Sequence, residues 1–202
     1  RFVDKLVKLH LCGGKEVWIL VHIEVQSQYE AQFAQRVFTY NYRIFDRYER
    51  QVASLIILGD ESATWRPSEF AYELFGSSIN FRFPVVKLLD LGQEWERLEA
   101  STNPFAVVVM AHLKASQTRK NRNERLRWKI YLTQSLYEKG YQRQDVINLF
   151  HFIDWVMSLP RELEQEYWRE VQQLEEERQM PYISSVERRG IEQGRQEEGV
   201  SL

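Results

Sequence analysis

Two carboxylates, Asp4 and Glu24, and the amide of Gln26 are the side chains of this sequence most suited to chemistry. Glu24 and Gln26 end the alternating run VWILVHIEVQ, so they share one face of a predicted strand, with Cα atoms roughly 6.5–7 Å apart. The apolar residues of the run alternate onto the other face, which we predict to be buried: Ile19, Val21, Ile23 and Val25. Packing therefore gives no reason for a carboxylate and an amide at the end of this strand.

Asp4 lies in a preceding strand pattern, residues 2–11, which Gly13 and Gly14 turn back against the second strand. A hairpin about this turn places Asp4 opposite residues near 23 to 25. Two carboxylates that converge on one spot repel each other unless a cation neutralises them. Carboxylate oxygens are hard ligands that suit Mg²⁺ or Mn²⁺. The pattern therefore indicates a divalent-metal site.

The elements that must position these residues follow a β-β-α-β order. Residues 15–26 form the second strand, and a helical period follows over residues 28–50. Ser27 and Glu30 have the spacing of a capping box at the start of this helix. One apolar stripe runs along it: Phe33, Val37, Tyr40, Ile44 and Tyr48. Val52–Leu58 is then typical of a buried strand, which a right-handed crossover can pair in parallel with the second.

The second half of the chain is predicted to be mostly helical. Residues 59–80 are expected to be loop or irregular structure, and residues 81–89 to include a further strand. Helices are predicted at about 93–101, 104–116, 122–139, 143–157 and 160–180, from the apolar periodicity and the glycine and proline breaks. The domain prediction is a core at 1–92, a helical region at 93–180 and a polar tail at 181–202, and the short connections favour one continuous body.

Composition narrows the class of protein. The 202 residues include 6 Trp, 10 Tyr and 11 Phe, which argues against disorder. No apolar run reaches the roughly 18 residues that a membrane span needs, and the single cysteine, Cys12, excludes an intramolecular disulfide and a cysteine-based zinc site. A reducing cytoplasm fits this best. The net charge of −2 is no nucleic-acid signature, so any such binding must come from a local patch.

The residues resemble those of a known nuclease group. Asp4, then Glu24-Val25-Gln26, then a long helix with Arg36 and Tyr40 are similar to the PD-(D/E)xK nuclease superfamily, and more closely to the Rpn family of recombination-promoting nucleases and putative transposases. The similar stretches are spread over nearly the whole chain: FVDKLVKLHL, WILVHIEVQSQYEAQFAQRVFTYNYRIFDRYE, SINFRFPVVKLLDL, STNPFAVVVMAHLKA, FIDWVMSLP and EEERQMPYISSVERRGIEQG.

The resemblance implies a restriction-endonuclease-like α/β fold, in which a mixed β-sheet with flanking helices precedes a mostly α-helical C-terminal half. It implies a metal-dependent DNA endonuclease in which Asp4, Glu24 and the carbonyl of Val25 hold Mg²⁺ or Mn²⁺. Gln26 would stand where a lysine usually positions the attacking water. Because Gln26 supplies hydrogen bonds but no charge, weak activity is expected. The superfamily core usually begins with a helix before its first strand, and this chain starts too late to contain it.

Other residues have both a functional and a structural interpretation. Arg36 and Tyr40 either brace the site or contact phosphate, or they form a pair at the edge of the core. His22 shares the face of Glu24 but is expected to be a buried, hydrogen-bonded histidine. The basic stretch 114–129 is a candidate DNA contact or else a solvated helix face. Its candidate phosphate ligands are Lys114, Arg119, Lys120 and Arg122.

The leading hypothesis from the sequence is a cytoplasmic DNA endonuclease linked to recombination or mobile elements, with DNA as its partner and without a membrane. A homodimer is a further expectation, although the sequence does not determine the oligomeric state. The alternative is an inactive nuclease-fold remnant that binds DNA or protein. A purely structural helical interaction domain ranks third, since it would make the pairing of Asp4 with Glu24 a coincidence.

Overall fold

The computed structural model describes residues 4–10 and 16–183, with side chains from Leu20 onward. The chain divides into two compact units, one ending at Asp90 and the other beginning at Leu91. The first is mixed α/β and the second is helical. The predicted turn at Gly13 and Gly14 and most of the predicted polar tail lie outside the described residues.

The described part of the first unit contains six strands and one long helix. Its strands are β1 (Asp4–His10), β2 (Glu16–Gln26), β3 (Val52–Leu58), β4 (Glu69–Leu74), β5 (Ser77–Arg82) and β6 (Val85–Lys87), and its helix is α1 (Phe33–Tyr48). The four-stranded sheet has the order β1-β2-β3-β6. β1 is antiparallel to β2, whereas β2, β3 and β6 run parallel. The predicted hairpin and the predicted parallel pairing through α1 are both confirmed.

Helix α1 covers one face of this sheet. Phe33 and Val37 on α1 pack with Ile56 and Leu58 of β3 in an apolar cluster, while Trp65 contacts the edge of Phe33 with ring centroids 5.5 Å apart. The predicted capping box is wrong, because α1 begins at Phe33 and its N-cap, Gln32, makes no side-chain capping bond.

The prediction that Ile23 and Val25 are buried is wrong. They are 42% and 61% exposed, while Leu20 and His22 on the other face are 3% and 5% exposed. The reason is that α1 lies against the face that carries His22, Glu24 and Gln26. Apolarity alone does not say which side of a strand a helix will cover.

Residues 59–80, predicted to be loop, include a β-hairpin. β4 and β5 pair antiparallel from Glu69↔Arg82 to Leu74↔Ser77 and form a separate two-stranded sheet. The two residues between the strands, Phe75 and Gly76, have φ values of 49° and 81°, as a type I′ turn requires. The sequence analysis missed this turn because the i+1 position holds phenylalanine instead of asparagine or aspartate.

The end of β3 is joined to β6 by a buried ion pair. Lys87 Nζ donates to Asp60 Oδ1 and Oδ2 at 2.9 and 2.8 Å, and to the carbonyl of Trp65 at 3.1 Å. The side chains of Lys87 and Asp60 are 1% and 5% exposed. Because neither charge reaches water, each depends on the other for its solvation.

The second unit is built from helices. They are α2 (Leu88–Leu91, which crosses the boundary), α3 (Trp95–Ala100), α4 (Pro104–Gln117), α5 (Arg122–Glu138), α6 (Arg143–Val156) and α7 (Arg161–Arg178), with a 3₁₀ turn at Gly92–Glu94. The four long helices confirm the predicted ones to within a few residues. Their core holds a fully buried Lys129, whose ammonium contacts Asp154 at 2.8 Å and Glu164 at 3.1 Å and lies 4.4 Å from the ring centroid of Tyr167.

None of the helices in the described part of the chain is long and apolar enough to cross a membrane.

Removing Asp60 should destabilise the first unit strongly. In Asp60→Ala the Lys87 ammonium stays buried without its partner, so we expect a loss of about 3–5 kcal/mol in the free energy of unfolding. The matched control is Glu69→Ala, which breaks the exposed pair with Arg82 and should cost about 1 kcal/mol or less. Urea unfolding of both variants measures the difference, and similar losses would contradict the importance of the buried pair.

Candidate functional site

The predicted site residues Glu24 and Gln26 lie at the carboxyl end of β2, in the interior of the four-stranded sheet. The backbone ladder there is intact: Glu24 pairs with Ile56 and Gln26 with Leu58, and the N–H of Gly59 donates to the carbonyl of Gln26 at 2.8 Å. Regular pairing with β3 therefore sets the direction of the two side chains. Ligand sites of open α/β sheets commonly lie at this end of the strands.

A single guanidinium connects the polar groups of this site. Arg36 Nη2 lies 2.7 Å from Glu24 Oε1 and donates to Gln26 Oε1 at 3.0 Å. Arg36 Nη1 donates to Glu30 Oε2 at 2.5 Å. Arg36 comes from the first turn of α1, Glu30 from the connection before it, and Glu24 and Gln26 from β2. Arg36 therefore contacts residues on both sides of the β2–α1 connection, and these contacts close that connection.

The amide of Gln26 is oriented by its neighbours. Its oxygen accepts from Arg36, and its Nε2 donates to the carbonyl of Gln28 at 2.8 Å. In this arrangement the amide makes internal bonds with both of its polar atoms.

Glu24 is an ionised carboxylate in a partly buried environment. Burial acts to raise its pKa, but the His22 ring and the Arg36 guanidinium outweigh burial, so the pKa of Glu24 is held below its ordinary value. Its Oε2 lies 3.5 Å from His22 Nε2, which is too long for a hydrogen bond. This buried oxygen has no hydrogen-bond partner among the described residues, and neither has Arg36 Nε.

His22 occupies the buried position expected for it. Its Nδ1 lies 3.1 Å from Ser54 Oγ, and its ring meets Tyr40 edge-on with the centroids 5.8 Å apart. Asn41 Nδ2 donates to the same Ser54 hydroxyl at 3.0 Å. Ser54 and Asn41 were not identified from the sequence, and their only signal was polarity in an apolar strand and beside a helical stripe. Together they hold the imidazole next to Glu24.

The other two predicted metal-site residues, Asp4 and Val25, lie on β1 and β2. Asp4 pairs with His22 in the β1–β2 register, one residue short of the predicted range of 23 to 25 and two residues along β2 from Glu24. The side chain of Asp4 lies outside the described residues. Val25, whose carbonyl was predicted to bind the metal, pairs with Ile57, and its side chain is 61% exposed on the other face of the sheet.

The described residues fit a divalent metal only in part. Glu24 Oε2 is a hard, anionic oxygen of the kind that Mg²⁺ or Mn²⁺ prefers, and it has no hydrogen-bond partner among the described residues, although the His22 ring lies 3.5 Å from it. Arg36, however, already places a positive charge on Glu24 Oε1. Among the side chains that the structure describes, from Leu20 to Ile183, there is no group of three or more His, Cys, Asp or Glu that could hold a metal ion. A metal at this site would therefore need a second carboxylate, and Asp4 is the residue whose backbone register suits that role.

The predicted DNA-contact residues, all in the second unit, differ in their surroundings. Lys114 lies over two indole rings, 4.2 Å from the Trp95 centroid and 3.9 Å from the Trp128 centroid, and burial lowers the pKa of its ammonium. Arg119, Lys120 and Arg122 are exposed. Lys120 and Arg122 line an open cleft of about 400 Å³ with Asn121, Asn123, Pro160, Glu162 and Leu163.

The chain was compared with protein-family models, with curated proteins and with solved structures, and none of the three comparisons found a match.

The lowered pKa of Glu24 predicts a specific pH dependence of stability. A carboxylate with a depressed folded pKa contributes stability that is fully present above its unfolded pKa, about 4.5, and is lost as the pH falls through the folded pKa. We expect the free energy of unfolding of wild type to exceed that of Glu24→Gln by about 1–2 kcal/mol near neutral pH. This difference should shrink as the pH falls below the unfolded pKa. Urea unfolding at several pH values measures it. A difference that is constant down to the acid limit would refute the coupling to Arg36 and His22.

Proposed function

We propose that this protein is a metal-dependent endonuclease that hydrolyses phosphodiester bonds in DNA. The observation that carries the proposal is Glu24 Oε2: an ionised carboxylate oxygen at the end of a central strand, buried, with no hydrogen-bond partner among the described residues and with the His22 ring 3.5 Å away. Leaving such an oxygen unpaired costs free energy, which a bound cation would recover. The resemblance of the Asp4, Glu24-Val25-Gln26 pattern to PD-(D/E)xK nucleases agrees in naming this residue as a metal ligand.

The proposed ligands of Mg²⁺ or Mn²⁺ are the carboxylates of Asp4 and Glu24 and the carbonyl of Val25. When bound, the metal makes a water molecule more acidic and neutralises charge on the phosphate. Asp4 supports the proposal through its backbone register, since it stands opposite His22 and two residues from Glu24 along β2. Asp4 and Glu24 on neighbouring strands would thus form the pair of carboxylates that the ion requires.

The chain's own polar groups would orient the reactants. Gln26 would donate a hydrogen bond to the attacking water through the Nε2 that now binds the Gln28 carbonyl. Arg36 would turn its guanidinium, one nitrogen of which is unpartnered, toward the phosphate. Tyr40 and the Ser54-bonded His22 would keep Glu24 in place. Because Gln26 adds no positive charge, we expect slow hydrolysis.

DNA would be the partner, held in part by the exposed cations of the second unit. Arg119, Lys120 and Arg122 are the proposed phosphate contacts. Lys114 is the fourth phosphate contact predicted from the sequence. Its place between two indoles supports a structural role more than a phosphate contact. We propose a cytoplasmic protein linked to recombination or mobile elements, and these last two assignments rest on the resemblance and the composition alone.

The alternative function is an inactive nuclease-fold protein that binds DNA or another protein. The Arg36 contacts favour it: a guanidinium on Glu24 and Gln26 takes the place where a catalytic cation would be expected. In that case the cluster would serve only to fix the β2–α1 connection.

Plasmid cleavage with Mg²⁺ or Mn²⁺ tests the proposal. We expect slow nicking by wild type, a loss of about 100-fold or more in Asp4→Ala and Glu24→Ala because the metal loses a ligand, and faster cleavage by Gln26→Lys. Glu69→Gln, an exposed carboxylate on the β4–β5 hairpin, is the matched control and should cleave as wild type does. Cleavage that survives both alanine substitutions would refute the site, whereas DNA binding without any cleavage would favour the alternative function.

The proposed phosphate contacts predict a salt-dependent effect on DNA binding. Lys120→Gln with Arg122→Gln should weaken binding equally for unrelated sequences and lower the slope of log K against log salt by about 2. Arg169→Gln removes an exposed cation from α7 as a control. Fluorescence anisotropy at several salt concentrations measures the slope, and an unchanged slope in the double variant would exclude these two residues as contacts.

A further inference from the structure

The β4–β5 hairpin and the outer side of α1 expose a continuous aromatic surface. The rings of Tyr42, Phe38, Phe70 and Tyr72 follow one another at centroid distances of 6.5, 5.1 and 5.8 Å. Beyond them the residues near the hairpin tip lie in solvent: Tyr72 is 48% exposed, Leu74 61% and Phe75 100%. We call these residues, together with Phe45, the aromatic surface.

The base of the hairpin is packed, but its tip is not. Phe70 and Phe81 pair across the strands and both contact Phe38 of α1, at 5.1 and 5.6 Å. The same face of the hairpin continues through Tyr72 and Leu74, where it extends beyond this packing. A two-stranded hairpin is only marginally stable in water by itself. Packing of its tip against another apolar surface would therefore stabilise it.

The tip residue is costly for the isolated chain. Phe75 has φ 49°, a conformation that costs about 1–2 kcal/mol for a residue with a Cβ. Asparagine or glycine would suit the turn better. Phe75 makes no compensating contact within the described chain, because its side chain is fully exposed. A strained and fully exposed phenylalanine is what a contact with another molecule would explain.

The size of the aromatic surface suits a specific interface. Tyr42 and Phe45 on α1 are 54% and 49% exposed, and they add to Tyr72 and Phe75 on the hairpin. With roughly 200 Å² for each aromatic side chain, these four expose about 500 Å². A two-fold contact that covered this surface on both copies would bury about 1,000 Å², which is where specific interfaces begin.

Charge and strand pairing favour a second copy of this chain over other partners. The exposed end of α1 carries three arginines, Arg43, Arg47 and Arg50, against Asp46 and Glu49, whereas the hairpin carries Glu69 and Glu73 against Arg82. Each copy thus offers a basic helix and an acidic hairpin. The edge of β5 (SSINF, residues 77–81) has no charged side chain to prevent pairing.

We propose that the aromatic surface is a homodimer interface, in which the hairpin tip of each copy packs on Tyr42 and Phe45 of α1 in the other. Residue i of one copy then contacts residue j of its partner and the reverse, as two-fold symmetry requires. Phe75 is the anchor, and Tyr42 and Phe45 form the surface that receives it. This interface is independent of the proposed nuclease activity.

Phe75→Asn is the sharpest test because it removes the ring and improves the turn. Sedimentation equilibrium up to about 100 µM should show a wild-type dimer and, for Phe75→Asn, a dissociation constant raised about tenfold or more. Its thermal midpoint at a concentration where wild type is monomeric should be unchanged or higher, which separates loss of the interface from loss of the fold. Tyr42→Lys should weaken the dimer as well, since it changes the receiving surface.

Trp155→Gln provides the control, because Trp155 is 77% exposed on α6 of the second unit and its loss should leave the dimer unchanged. A wild-type monomer at the highest concentration would overturn the proposal. So would a dimer that Phe75→Asn leaves intact, or one that Phe75→Asn weakens and Tyr42→Lys does not. A monomer that binds DNA or lipid vesicles through Phe75 would assign the surface to that partner instead.

Discussion

The contact of Arg36 with three acceptors is the interaction on which the arrangement of the candidate site depends. Its guanidinium bonds Gln26 at the end of β2 and Glu30 before α1, and it forms an ion pair with Glu24. Because α1 has no side-chain cap of its own, this bonding replaces a cap in joining the strand to the helix. The electrostatics follow from the same contact, since Arg36 and His22 keep Glu24 ionised in spite of its burial. Arg36 therefore joins the strand to the helix, and the His22 ring and Arg36 together keep the carboxylate charged.

In this arrangement the Arg36 guanidinium and a metal ion would compete for the same carboxylate, Glu24. A guanidinium 2.7 Å from Glu24 Oε1 satisfies one carboxylate oxygen, while Oε2 remains without a hydrogen bond. The first fact suits a structural role and the second suits a metal ligand. Both can hold, because a carboxylate has two oxygens with different directions. The cost of leaving this oxygen without a hydrogen bond is small beside the cost of desolvating a whole ion, so a metal here would need a second carboxylate.

The first unit is also asymmetric. One face of its sheet is closed by α1, and the other leaves Ile23, Val25 and Leu55 between 41% and 61% exposed. The hairpin adds the aromatic surface. The first unit thus exposes apolar side chains, whereas the second unit packs charged ones. Lys129 lies at the centre of its helices, and Lys114 packs between two tryptophans. A lysine in a basic stretch can thus serve packing as well as charge, because its alkyl chain and ammonium suit both apolar and aromatic neighbours.

The sequence by itself determined the β-β-α-β order of the first elements, the strand Val52–Leu58, the long helices, and the placement of Glu24 and Gln26 at the end of a strand, because these depend on local periodicity and breaks. It did not show which face of β2 is covered by α1. The alternation puts Ile23 and Glu24 on opposite faces, but it does not say which of the two faces the helix packs against. It missed the β4–β5 hairpin, whose turn holds a phenylalanine at positive φ. Asp60 with Lys87, and Ser54 with His22, are separated by 27 and 32 residues. Only the tertiary structure decides such pairs, because the strands that carry them must first come together.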